Sequence, residues 1–356
     1  MAGTRCKVKY FVLVNRRVLN LHYTFAPMKK NIALIAGGDS GEYVISVNSA
    51  RIIKNNLDTG KYNVCLILIT GRKWVYIDDE NVEHPVDKND FSILLKGKKI
   101  FFDCAFITIH GTPGEDGKLQ GYFDLMGIPY TTSGLLQSSL TFNKHFCNAL
   151  VSSWGIQIAR SVKYSKNEKP DVVEVLSKVN LPVFVKPNKG GSSLGTTFVK
   201  TQEQLLPAID SCLEHDDEVF IEEYIHGIEL TCGAYIRKGE LVVLPVTEIV
   251  SKTEANFFDY KAKYTQGAAD EITPARVSDE ITRIVQETTT FLYRKLELKG
   301  ICRLDYIYSE GRLYFLEANI TPGMSERSIV PQQAEYVGIN LKQLFAEVLE
   351  ETMGEG

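Results

Sequence analysis

Four side chains near the end of the chain, Arg303, Asp305, Glu317 and Asn319, carry the charges that phosphoryl chemistry needs. An Asp, a Glu and an Asn within reach of one another offer hard oxygen donors to Mg²⁺, a cation that keeps several waters and takes its remaining ligands from substrate phosphates. Arg303 cannot lose its proton and can hold a carboxylate or a developing oxyanion. The four lie in "ICRLDYIYSEGRLYFLEAN" (301–319), which reads as a β-hairpin. A three-residue turn at Ser309-Glu310-Gly311, with Gly311 in the left-handed position, would pair Tyr308 with Arg312 and set Arg303 opposite Glu317. Period-2 alternation then places all four on one face, and a one-residue slip would scatter them. Spacing alone fits a solvated, salt-bridged hairpin equally well. The next residues, "TPGMSERSIVP" (321–331), favour an anion site, because a Pro-Gly turn with serines directly after an acidic strand presents backbone N–H groups.

A second stretch, "VFVKPNKGGSSLG" (183–195), places Lys186 at the end of a β-branched run and follows it with glycines and serines. A P-loop has its lysine after the last glycine, an order absent from this chain. Lysine and loop N–H groups could still converge on phosphates while the glycines let the loop close; a loop with no ligand is the alternative. "HGTPGEDG" (110–117) ends an apolar strand, where ligands bind in open α/β sheets, although a lone His110 is more often structural.

These residues need a scaffold. "NIALIAGG" (31–38), "NVCLILIT" (63–70) and "CAFITIHG" (104–111) are continuous apolar runs, and "EYVISVNSARIIKNN" has helical spacing, together predicting a parallel sheet covered by helices on both faces. Beyond "LPVFVKP", alternation in "EVFIEEYIHG" and "IELTCGAYIRKGELVVLPVTEI", with "RKGE" as turn, predicts antiparallel hairpins of a mixed α+β region. Thr201-x-x-Gln204 forms a capping box, with Pro207 early in the helix that follows. Ser278 caps an amphipathic helix that Gly300 is expected to close.

With 356 residues, two or three domains are expected, and a net charge of −4 argues against a broad nucleic-acid-binding face. The seven cysteines are scattered, without a CxxC pair, as in reduced buried thiols. No apolar run approaches the ~18 residues that would span a bilayer. Residues 1–27, basic and without an acid, read as an N-terminal extension outside the fold, which begins cleanly at Met28.

The succession "AGGDSGE", "HGTPGEDGKLQG", "VFVKPNKGGSSLG", "FIEEYIHGIE", "DYKAKY", "CRLDYIY" and "LEANITPGMSERSIVP" resembles the ATP-grasp enzymes, and within them closely resembles the D-alanine:D-alanine ligase family over residues 28–350. The resemblance implies an N-terminal α/β substrate domain (28–143) followed by central (144–224) and C-terminal (225–356) domains that sandwich ATP. It implies a cytoplasmic, homodimeric carboxylate-amine ligase serving peptidoglycan precursor synthesis: one D-alanine carboxylate takes the γ-phosphoryl group, and the amine of a second D-alanine attacks the acyl phosphate. By the same resemblance Lys144 and Lys186 contact phosphate, with Gly191 and Ser193 in the grasp loop. Glu222, Glu223 and Ile225 line the adenine pocket, Glu229 reaches the ribose and Phe257 packs on the base. Asp305, Glu317 and Asn319 hold two Mg²⁺ (or Mn²⁺), and Arg303 with the N–H of Gly323 forms the oxyanion site. Ser328 and Ile329 belong with Arg303 to the second-substrate pocket, while His110 and Ser192 lie near the first substrate. Lys263 points toward phosphate, and Tyr264, where relatives that make the D-lactate ester usually carry histidine, closes the site.

One departure stands out. The family commonly reads Glu-x-Glu-[Val/Ile]-Ser after the first glycine turn, with the second acid expected on the first amino acid's ammonium, whereas this chain has Glu42, Tyr43, Val44, Ile45 and Ser46. Either Glu42 or another acid takes over, or the first-site preference differs. Two other readings therefore stay open: an ATP-grasp ligase for a different first or second amino acid, and a nucleotide-binding protein without ligase activity.

Overall fold

The computed structural model describes residues 8–14, 17–23, 29–168, 170–191, 194–251 and 269–354. Strands β1 (Val8–Val14) and β2 (Arg17–Tyr23) pair antiparallel as a two-stranded sheet separate from the other three.

The first large sheet is built on β3 (Lys30–Gly37), which pairs in parallel with β4 (Tyr62–Thr70) on one side and β9 (Cys104–Ile107) on the other. Its strands are apolar on both faces because both are covered. Ile32, Leu34 and Ala36 pack with Ile53 of the helix Tyr43–Asn56 and with Phe345 and Val348 of the helix Leu341–Thr352. Ala33 and Ile35 pack on the opposite side with Leu119 and Phe123 of the helix Lys118–Met126. The expected parallel sheet is thus present, but only in part. Beyond β4 the sheet continues through β5 (Lys73–Ile77), β6 (Glu83–Asp87), β7 (Ser92–Leu95) and β8 (Lys98–Ile100), all antiparallel. Their short polar-interrupted sequences lack the apolar runs from which the sheet was anticipated.

A four-stranded antiparallel sheet, in the order β11 (Ser161–Ser165), β14 (Glu218–Glu223), β12 (Val183–Pro187) and β13 (Thr197–Val199), carries Lys186 and Glu222. The capping box is formed, with Thr201 and Gln204 exchanging side-chain and backbone bonds. Opposite stands a six-stranded sheet in the order β10 (Gln157–Ile158), β19 (Arg312–Asn319), β18 (Cys302–Ser309), β15 (Ile228–Arg237), β16 (Glu240–Ser251) and β17 (Ala269–Ile272). The helix Asp279–Lys295 covers its far face through Val285 and Leu292. Ser278 Oγ accepts from Ile281 N, a cap of about 1 kcal/mol. The helix ends earlier than anticipated: Glu297 takes the left-handed conformation (φ 52°), and Gly300 serves the later turn into β18.

The hairpin of β18 and β19 differs from expectation twice, and the two differences compensate. Its turn has two residues, Glu310 (φ 49°) and Gly311 (φ 77°), so Ser309 pairs with Arg312. Continued unbroken, that register would set Leu316 opposite Asp305 and turn Glu317 and Asn319 to the far face. A β-bulge between Asp305 and Tyr306 absorbs one residue, so Asp305 faces Glu317, and Arg303 faces Asn319 rather than Glu317. The four side chains share one face.

The six described cysteines, Cys65, Cys104, Cys147, Cys212, Cys232 and Cys302, are free and buried. Burial pushes the Cys104, Cys147, Cys232 and Cys302 thiols up to about 12, where they remain unionised and unreactive. Among the described residues no helix is long and apolar enough to cross a membrane.

Candidate active site

The two C-terminal sheets and the helix Tyr43–Asn56 enclose a cavity of about 730 Å³, within the range of small-molecule sites. Glu42, His110, Lys144, Lys186, Gly191, Glu222, Ile225, Glu229, Arg303, Asp305, Glu317, Asn319, Gly323, Ser328 and Ile329 all line it. Ser192, Ser193, Phe257, Lys263 and Tyr264 lie outside the described residues. Glu223 lies at the end of β14 and turns its carboxylate away from the cavity, to the backbone N–H (2.7 Å) and side chain (2.9 Å) of Asn180.

At the centre, Arg303 grips Asp305 with a two-pronged contact, Nε to Oδ1 at 2.9 Å and Nη2 to Oδ2 at 2.7 Å. Thr231 Oγ1, from the neighbouring strand, donates to the same Asp305 Oδ1. Burial disfavours the guanidinium charge, but Asp305 above all, then Glu317 and Glu271, more than restore it and hold Arg303 above its ordinary value. The site therefore keeps a permanent cation beside three oxygen-bearing side chains.

Lys186 forms a close ion pair with Glu222, diagonal to it on the neighbouring strand, and lies over the ring of its register partner Phe220. Lys144 begins the helix Lys144–Ser153, which Asn143 caps by accepting from Phe146 N, and its Nζ donates to Gly190 O at 2.6 Å. This contact ties one lysine to the glycine loop that follows the other. A Cβ at Gly191 would stand 2.9 Å from a Glu42 carboxylate oxygen, so the glycine loop lies close against the Glu42 side chain.

The helix Tyr43–Asn56 bears directly on the departure at Val44. Glu42 immediately precedes it, and Ile45 and Ser49 follow at helical spacing, so all three face the cavity. Val44 is 64% exposed and lies off the cavity, so an acid there would not reach a ligand inside it. Of the alternatives left open by Val44, the one acid this stretch brings to the cavity is Glu42.

Beside Glu42, His110 is 5% exposed and its Nε2 has no hydrogen-bond partner. Burial pushes its imidazole below the ordinary value, Glu42 opposes the shift and Arg303 adds to it. Two acids were not anticipated. Glu115 accepts from the Gly111 N–H at 2.7 Å and is pushed up to about 8, chiefly by burial and then by Glu42. The quoted "HGTPGEDG" contained it, but nothing in its spacing distinguished it from the adjacent Asp116. Glu271 reaches the cavity because β17 sets it opposite Ile249, and no sequence signal marked it.

Ser328 precedes the helix Ile329–Tyr336, and its Oγ accepts from Ser325 N at 3.1 Å. Gly323 lines the cavity next to it, and a side chain at Gly323 would collide with Ser328 Oγ, 2.9 Å from a Cβ there. A helix N-terminus, a glycine turn and Arg303 thus converge on one anion-attracting corner. Asp305, Glu317 and Asn319 fit a divalent cation by donor type, since all three offer hard oxygens from one sheet face. Among the described residues, no three His, Cys, Asp or Glu cluster as a metal site on their own, so Asn319 and a bound phosphate would have to complete it.

Two family models match, the D-ala D-ala ligase N-terminus over residues 31–133 and the D-ala D-ala ligase C-terminus over residues 150–350. The chain belongs to the D-alanine–D-alanine ligase family. It is 48% identical over 331 residues to the D-alanine–D-alanine ligase of Porphyromonas gingivalis, covering 92% of this chain and 99% of that protein. To that of Bacteroides fragilis it is 46% identical over 324 residues, covering 91% and 99%. Among solved structures, the VanG D-Ala:D-Ser ligase of Enterococcus faecalis matches with a TM-score of 0.81 at 33% identity, over 91% of this chain and 100% of that one. The Bacillus anthracis D-alanine–D-alanine ligase complexed with ATP matches with a TM-score of 0.72 at 27% identity, over 91% and 97%. The ATP-grasp architecture anticipated from the motifs is the fold of this family.

Proposed function

We propose that this chain joins two D-alanine molecules into D-alanyl-D-alanine at the expense of ATP, through an acyl phosphate, as a step in peptidoglycan precursor synthesis. The observation that carries the reading is the single cavity that Arg303, Asp305, Glu317 and Asn319 share with Lys144, Lys186 and Glu42, in a chain of this family.

In this reading ATP lies between the four- and six-stranded sheets, its phosphates met by Lys144, Lys186, Gly191, Ser193 and Lys263. Its base is met by Glu222, the Glu223 and Ile225 backbone and Phe257, and its ribose by Glu229. The outward turn of the Glu223 side chain suits a residue contributing only main-chain groups. Glu42 holds the first D-alanine's ammonium, with His110 and Ser192 nearby. Ser328, Ile329 and Arg303 receive the second D-alanine, and Tyr264 closes the site. Asp305, Glu317 and Asn319 would hold two divalent cations, which when bound neutralise charge on the transferring phosphoryl group. Arg303 and the Gly323 N–H stabilise the oxyanion that forms when the amine attacks; a buried cation already fixed in place favours that charge without rearranging. The three-domain division at 143/144 and 224/225, a homodimer and a cytoplasmic location complete the proposal. Each proposed domain has its own sheet, although the helix Leu341–Thr352 packs back on the first.

Incubation with ATP, Mg²⁺ and D-alanine, with the product identified by mass, tests the reading. D-Alanyl-D-alanine with matching ADP and phosphate is expected, and L-alanine should give none. Phosphate release with another D-amino acid but not with D-alanine would instead support an altered amino-acid preference.

A further inference from the structure

Glu271 is half-buried in the wall of the cavity, on a strand that contributes none of the groups assigned above. Its carboxylate accepts from Gln332 Nε2 at 2.9 Å, and Gln332 is also fixed by donating to Arg327 O at 2.7 Å. Gln332 belongs to the helix Ile329–Tyr336, whose cap Ser328 and first residue Ile329 are proposed to receive the second amino acid. Glu271 and the Arg303 guanidinium line the same cavity, where their opposite charges favour each other. An acid is thus held by an amide anchor in the wall of the cavity where the second amino acid is proposed to bind.

That amino acid arrives as a zwitterion, and its ammonium has no lone pair with which to attack. We propose that Glu271 is the counter-charge for the second amino acid's ammonium and the acceptor of its proton. The proton passes from the ammonium nitrogen to the Glu271 carboxylate, giving a neutral amine and a carboxylic acid. The amine lone pair forms the C–N bond to the acyl phosphate carbonyl carbon. The bond from that carbon to the phosphate oxygen breaks, and the leaving phosphate takes the electron pair and one of the amine's two remaining protons. Glu271 then returns its proton to water through the open cavity. The same charge disfavours a hydroxy acid, which is a net anion without an ammonium. Burial raises the Glu271 carboxyl, while the Gln332 bond and Arg303 oppose the shift, so its basicity exceeds that of an exposed carboxylate. Other charged groups around it are Arg327, Glu229 and Glu248 in the cavity wall and Asp270 next to it in β17.

The inference rests on the ligase reading, and the test separates the two. Glu271→Gln keeps an acceptor for Gln332 but cannot take a proton. Dipeptide formation is compared with trapping of the acyl phosphate by hydroxylamine, a nucleophile already neutral at neutral pH that needs neither counter-charge nor base. The variant should lose about 100-fold in kcat/KM for the second D-alanine, make the hydroxamate at the parent rate, and recover as pH rises toward the amine's own ionisation. Glu271→Asp should restore part of the loss. Equal loss of dipeptide and hydroxamate, or no loss of either, would overturn the assignment. A parent protein that made neither product would remove the ligase reading itself, and this inference with it.

Discussion

Arg303 and Asp305 sit two residues apart on one strand and hold each other by two parallel hydrogen bonds, 2.9 and 2.7 Å long, with both side chains largely buried. Both Asp305 oxygens are therefore engaged by an arginine, although Asp305 is the proposed ligand of a divalent cation. Removing one partner leaves the other charge buried and uncompensated. Asp305→Ala should cost about 3 kcal/mol of stability in urea unfolding and lower kcat at least 100-fold. A variant as stable as the parent would show that the pair is not a structural element.

The first-substrate assignment gives a contrast within one helix turn. Glu42→Gln should raise KM for the first-site amino acid about tenfold or more and leave KM for ATP nearly unchanged. Val44→Glu, on the exposed side, should leave both within about twofold, as surface substitutions do. Initial-rate kinetics with each substrate varied in turn would decide, and equal effects of Glu42→Gln on both KM values would remove Glu42 from the ammonium role.

Glu115 links the site to pH. Its carboxyl is pushed from 4.5 up to about 8 in the folded chain, so the buried acid stays protonated while an unfolded one would ionise. Its stability contribution is fully present below pH 4.5 and is lost as pH rises toward about 8, at about 1.4 kcal/mol per pH unit over that interval. Glu115→Gln, neutral in both states, should flatten the fall of Tm with pH in this window. An unchanged slope in thermal melts of the two proteins would contradict the assignment.

Lys186 and Glu222 neutralise each other across neighbouring strands at the nucleotide end of the cavity. Glu222→Gln should raise KM for ATP about tenfold through loss of a charge-assisted bond, with KM for D-alanine little changed. A selective effect on D-alanine would place the pair elsewhere than at the nucleotide.

Much of this site was legible in the sequence, for reasons specific to each part. The apolar runs around Ile32 and Ile107 had to be buried on both faces, which fixed the parallel strands, and Lys186 followed from the strand that Pro187 closes. The shared face of Arg303, Asp305, Glu317 and Asn319 was anticipated through a register that does not form. A two-residue turn and a bulge together keep the parity that a three-residue turn would have given, and neither device has a strong local signal. Glu297 ends its helix in a conformation usually left to glycine, so the search for Gly300 overshot. Which acid meets the first amino acid stayed open because a motif lists residues in order, whereas a helix turns the residue two positions on, here Val44, away from the face that holds Glu42. Glu271 could not be found at all, since its place depends on how an edge strand aligns with Ile249.

The central claim, that this cavity carries a phosphoryl group through an amino acid's carboxylate, can be read from one atom. D-Alanine labelled with ¹⁸O in its carboxylate is incubated with the protein, Mg²⁺ and unlabelled ATP, and the phosphate released is weighed by mass spectrometry. Attack of the carboxylate on the γ-phosphorus, followed by amine displacement at carbon, predicts one ¹⁸O in phosphate for each dipeptide formed. Dipeptide accompanied by unlabelled phosphate would contradict the account.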